Sequence, residues 1–121
     1  MRRFERYNGK DTNYVDASFL LVFCTCPDQA TAKHIAGERV DQRLAACVNI
    51  VPGITSIYRW QGKRESSQEY LLLVKTSQDA YEALEQALTG LHPYELPELI
   101  AVPIERGLSA YLGWISQQTA P

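Results

Sequence analysis

Cys24-Thr25-Cys26 and His92-Pro93-Tyr94-Glu95-Leu96-Pro97-Glu98 are the two stretches whose residue types and spacing could carry chemistry. In an extended backbone, residues two apart point to the same side, so both sulfurs could meet a soft ion such as Cu(I). With three cysteines in all, no second pair completes a tetrahedral site. Read without a metal, Cys24 is a small apolar residue closing a buried strand, and on the residues alone that reading is the stronger. The histidine run places an imidazole, a phenol and two carboxylates in a loop stiffened by prolines, and such loops often present ligands. Imidazole with carboxylate oxygens suits Cu(II), Zn(II) or related ions. The competing role for His92 is to satisfy a helix C-terminus while the prolines shape the turn. Both readings stay open.

Other candidates are weaker. His34 has no partner three or four residues on that would make a metal clasp, and reads as a solvated surface histidine. Cys47, inside an apolar run, reads as core. Tyr58, Trp60 and Tyr70 form an aromatic group better explained by cross-strand packing or a neighbouring subunit than by base stacking. The chain has no GxGxxG, no Walker loop, no GxSxG elbow and no HExxH pair. No nucleophile–base pair stands out, so the expectation is a binding protein, not an enzyme.

The elements that must position these residues follow from periodicity. Phe19 to Cys24 is a continuous apolar run, the mark of a strand covered on both faces. Pro27-Asp28 ends it, and Asp28 or a neighbour can cap a helix. From Gln29 to Leu44 the residues Ala32, Ile35, Ala36, Val40 and Leu44 recur at helical spacing, with Lys33, Glu38, Arg39 and Asp41 on other faces. Ala46 to Val51 and Ile54 to Trp60 read as one strand bulged at Pro52-Gly53. Gln61-Gly62-Lys63 reads as a hairpin turn, and the return strand runs to Lys75. Ser77 caps a second helix with Ala80, Tyr81, Leu84, Leu88 and Leu91 along one face. Leu99 to Ile104 is a further strand with Pro103 near an edge, and Ser109 to Gln117 a short terminal helix.

The order predicts an α+β ferredoxin-like βαββαβ sandwich, with an antiparallel sheet, an extra C-terminal helix and a long hairpin between the second and third strands. A hairpin that long overhangs its own sheet and calls for a second chain to cover it. Residues 18–121 read as the single domain. Residues 1–17 read as a disordered extension, since Met1-Arg2-Arg3 leads into no apolar core of signal-peptide length.

Composition narrows the classes. A chain of 121 residues suits one domain. Lys+Arg 12 against Asp+Glu 14 leaves a net charge of −2, no footprint for nucleic acid or an anionic membrane. No run approaches the roughly 20 apolar residues of a membrane span. Unpaired cysteine count favours a reducing, cytoplasmic setting.

Cys24-Thr25-x-Pro27-Asp28, Leu44-Ala45-Ala46-Cys47-Val48-Asn49, Ile57-Tyr58-x-Trp60-x-Gly62-Lys63 and His92-Pro93-Tyr94-x-x-Pro97-Glu98, in that order, resemble the CutA divalent-cation-tolerance family. The resemblance covers Phe19 to Gln117. It implies homotrimers, similar in architecture to PII signalling proteins, held by the long hairpins. It implies tolerance to copper and other divalent cations, with Cu(II) as the bound ion. Cys24 and His92 match the family's copper ligands, and Glu98 could add an oxygen. A second histidine that precedes His92 in some members is Leu91 here, and Cys26 stands where alanine is frequent. Trp60, Glu69, Lys75, Tyr94 and Glu98 match shared positions of an inter-subunit cleft, which implies a small polar effector as the alternative ligand, or packing between subunits.

Overall fold

The computed structural model describes residues 18–121, so the expectation of a disordered segment over residues 1–17 lies outside the described residues. Strand β1 (Phe19–Cys26) is followed by helix α1 (Gln29–Asp41), strands β2 (Cys47–Trp60) and β3 (Lys63–Ser77), helix α2 (Gln78–Leu91), strand β4 (Leu99–Pro103) and helix α3 (Ser109–Gln118). The sheet runs β2-β3-β1-β4, with every pairing antiparallel. This is the ferredoxin-like α+β arrangement with an added C-terminal helix.

Pleat and register divide the sheet into two faces. Leu20, Val22, Cys24 and Cys26 of β1 stand with Leu72 and Val74 of β3 on the side that receives Ala32 and Ile35 of α1 and Leu84 and Leu88 of α2. These residues make the core. Leu21, Phe23 and Thr25 project to the opposite side, in register with Lys75, Leu73 and Leu71 and, on β4, with Val102 and Ile100. Val51, Ile100 and Val102 are exposed there.

Local chemistry accounts for the boundaries. The Asp28 carboxylate accepts the Thr31 N–H at 2.8 Å, and the Ser77 hydroxyl accepts that of Ala80 at 3.3 Å, so α1 and α2 both start on a side-chain cap. The expected bulge is present: register shifts between Val51 and Ile54, with Gly53 at φ 73. Trp60 pairs with Lys63 across Gln61 and Gly62, both at positive φ, the mirror-image turn that suits strand twist.

Three sequence expectations need correction. Helix α1 stops at Asp41, short of Leu44, because Arg43 turns left-handed at φ 62. Its guanidinium then donates to the Gln117 and Ala120 carbonyls of the C-terminal segment. Arg39 is not on a solvent face. Seven residues from Ala32, it lies almost directly above it on the helix, and it is buried while Val40 is exposed. Cys47 is half-buried and in register with Lys75, on the face away from α1 and α2 and beside Tyr111 of α3, and so is not part of the core.

Candidate functional site: a cleft between the distal hairpin and the His92–Glu98 loop

The hairpin outruns its sheet. Strand β1 pairs with β3 only from Tyr70 to Ser77, so Ile54–Trp60 and Lys63–Glu69 pair with each other alone. Alternation puts Tyr58, Trp60, Ser67 and Glu69 on one side of this ribbon, and the Tyr58 hydroxyl meets that of Ser67 at 2.8 Å. Residues 92–98 fold against that side. Between the two lies a cleft of about 830 Å³, bordered by Thr25, Tyr58, Trp60, Glu69, Tyr94 and Glu98 among others. Tyr70 points to the other face and packs on the core, so the expected aromatic group divides.

Two hydrogen-bonded ties hold the loop. The Tyr94 hydroxyl donates to Glu69 Oε2 at 2.6 Å, joining the loop to β3. Burial first, and this bond second, push the phenol well above its usual range, so Tyr94 keeps its proton. At the other tie, His92 Nδ1 accepts the Tyr94 backbone N–H at 3.1 Å. Nε2 lies 2.6 Å from the Thr25 carbonyl oxygen, which can only accept, so Nε2 carries the proton. Both ring nitrogens are committed. In place of the helix C-terminal role, one of the two readings left open by the sequence, the ring makes a tie to the end of β1, 67 residues away in sequence.

The metal-ligand candidates are near one another but differently disposed. Cys24 and Cys26 lie on the same side of β1, both buried, as the spacing predicts. The Cys24 thiol is pushed far above its ordinary range, chiefly by its hydrogen bond to the Cys26 sulfur, then by burial, with Glu98 and Glu69 adding to the effect. Glu98 is exposed at the rim. Among the described residues no three His, Cys, Asp or Glu side chains are placed to hold a metal ion. The residues as arranged do not fit a preformed Cu(II) centre.

Of the cleft residues, the structure brings Trp60, Glu69, Tyr94 and Glu98 together. Lys75 does not line this cleft within one chain. It lies six residues along β3 from Glu69, roughly 20 Å away, and its ammonium donates to Asn49 Oδ1. Thr25 at the cleft floor escapes sequence reasoning, its only signal being strand alternation beside two cysteines.

A family model described as CutA1 divalent ion tolerance protein matches residues 20–118. Protein CutA of Mus musculus is 46% identical over 108 residues, covering 89% of this chain and 61% of that protein. This chain therefore spans about three fifths of the mouse relative's length. Divalent-cation tolerance protein CutA of Thermus thermophilus is 50% identical over 99 residues, covering 82% of this chain and 96% of that protein. The crystal structure of CutA from Xylella fastidiosa matches with a TM-score of 0.84 at 47% identity, covering 86% of this chain and all of that one, 100%. With the family model spanning nearly the whole described fold, the chain belongs to the CutA1 divalent ion tolerance protein family.

Proposed function

We propose that this chain acts in divalent-cation tolerance as a non-enzymatic, homotrimeric binding protein whose working site is the cleft between hairpin and loop. The observation that carries this is the cleft itself: a buried carboxylate, Glu69, tied to Tyr94 and walled by aromatic rings. The name of the Thermus relative, divalent-cation tolerance protein, supports the biological role. Trimer formation through the hairpins is supported by the unpaired reach of Ile54–Trp60, since an isolated two-stranded ribbon is marginal in water. The half-apolar open sheet face points the same way. Three free cysteines favour a reducing, cytoplasmic setting.

A second reading, Cu(II) held by Cys24 and His92, is favoured by one contact: His92 reaches the carbonyl of Thr25, the residue after Cys24. Binding there would require His92 to release Thr25 or Tyr94, giving up a hydrogen bond worth about 1 kcal/mol, and Cys24 to lose its proton.

Native mass spectrometry of the untagged protein, titrated with Cu(II) under chelator-free conditions, tests both. A trimer without stoichiometric copper is the expected result. One copper per chain, lost in Cys24→Ala with His92→Ala, would transfer the assignment to the metal reading. A monomer would overturn the assembly.

A further inference from the structure

The cleft leaves unused a pair of soft ligands at the end of β1. Cys24 and Cys26 are 1% and 0% exposed, and the Cys24 thiol is hydrogen-bonded to the Cys26 sulfur. The two share the core with Ala32 and Ile35 of α1 and Leu84 and Leu88 of α2. That core is built by a single chain, so the pair is the same in a monomer and in an assembly. Among the described residues the other polar partner of Cys24 Sγ is the Thr25 carbonyl, at 3.9 Å, and no third His, Cys, Asp or Glu completes a set around the sulfurs.

Spacing decides what two such sulfurs can hold. Residues two apart on a strand have Cα atoms roughly 6.6–6.8 Å apart, the far end of the range that a disulfide spans. An ion between the sulfurs suits this span better, because two metal–sulfur bonds of roughly 2.3 Å each part them by more than twice an S–S bond. With two donors only, the ion must be soft and content with two ligands. Zn(II) asks for four, and Cu(II) prefers a tetragonal set of nitrogen and oxygen donors. Cu(I) and Ag(I) are soft d10 ions that accept two sulfurs in line.

We propose that Cys24 and Cys26 together hold one soft monovalent ion, Cu(I) or its analogue Ag(I), through two sulfurs alone. Loss of one proton to solvent balances the single positive charge and keeps the site neutral among apolar walls. The ion enters where β1 gives way to Pro27-Asp28 and the first turn of α1, since helix ends open at less cost than a sheet centre. The site is separate from the cleft and from the Cys24–His92 pair considered above: His92 stays on the Thr25 carbonyl, and Cys26 is the second ligand.

Anaerobic titration of the reduced full chain with Cu(I), against bicinchoninate as competing chelator, tests this, with Ag(I) and Zn(II) as comparison ions. One Cu(I) binds per chain, Ag(I) displaces it, and Zn(II) does not. Cys26→Ala removes a single sulfur and weakens Cu(I) by at least about a hundredfold, the upper range for loss of a mere supporting contact. Cys47→Ser, on the other face of the sheet, leaves the affinity unchanged. X-ray absorption of the loaded native chain reads two sulfurs and no nitrogen, and decides the matter should Cys26→Ala not fold. Unchanged affinity in Cys26→Ala, loss in Cys47→Ser, equal uptake of Zn(II), a nitrogen at the copper, or absence of Cu(I) binding would each overturn the two-sulfur site. None of these outcomes bears on the cleft.

Discussion

His92 sits with Nε2 2.6 Å from the Thr25 carbonyl oxygen while its Nδ1 takes the Tyr94 N–H at 3.1 Å. The ring thus bridges the end of β1 to a loop that begins just after α2, and its tautomer is set by both partners at once. Tyr94, held at its backbone by this ring, reaches with its hydroxyl to Glu69 on β3. One histidine thereby registers the loop that forms the cleft wall. His92→Ala leaves the Thr25 carbonyl without this partner, and the penalty for such a group is about 1–3 kcal/mol. Urea denaturation followed by circular dichroism should show that loss; an unchanged midpoint would mean the loop holds its place without the ring.

Arg39 is 1% exposed on the inner face of α1. Its Nη1 donates to the Ala87 carbonyl of α2 at 3.0 Å, but among the described residues Nε has no partner. A guanidinium this poorly satisfied contributes mostly through the packing of its stem. Arg39→Met should therefore be neutral or stabilising, by up to about 1 kcal/mol, whereas Arg39→Ala opens a cavity and should lose at least about 2 kcal/mol. Thermal melts of the two variants check the pair. Equal losses in both would show that the charge itself is needed.

Gly62 holds φ 82 in the hairpin turn, and Gln61 beside it φ 51. Adding a Cβ at Gly62 meets no neighbouring atom, so the penalty is conformational. Gly62→Ala should cost about 1–2 kcal/mol, and Gln61→Asn should recover a few tenths, since asparagine tolerates the left-handed region. Hydrogen exchange of the Trp60 and Lys63 amides would report the same order.

Asp28 titrates below the usual aspartate range because the Thr31 backbone N–H, and after it the Thr31 hydroxyl, donate to its carboxylate. Its folded value is thus lower than its unfolded value of about 3.9. The stability it adds is present above that unfolded value and is lost as pH falls through the folded one. Asp28→Asn keeps a capping oxygen that does not titrate. Urea midpoints of the native chain and Asp28→Asn, compared at neutral and acid pH, should show the native chain losing its advantage on acidification. A difference constant with pH would remove the carboxylate from the account.

Much of this protein was determined by patterns within one or two turns of chain. The alternating and continuous apolar runs placed β1 to β4, the Asp28 and Ser77 caps opened their helices, and Pro52-Gly53 and Gln61-Gly62 placed bulge and turn. Each of these depends on nearest-neighbour sterics and hydrogen bonding, which a linear sequence displays directly. Cys24 and Cys26 sharing a side of β1 follows from the pleat alone. The burial of Arg39 did not show, because an inward helical position filled by a charged residue looks like a break in the apolar stripe. Nor did the separation of Lys75 from the cleft of its own chain, which depends on distance along β3 rather than on residue type. The roles of His92 and Glu69 lie furthest out of reach. Their partners, Thr25 and Tyr94, stand 67 and 25 residues away, and only the crossing of β1, β3 and the loop after α2 brings them within hydrogen-bond range. A residue's type offers an imidazole or a carboxylate; which atom it faces, and hence whether it binds or braces, was decided by tertiary structure, because hydrogen bonds act over about 3 Å regardless of how far apart in sequence their partners lie.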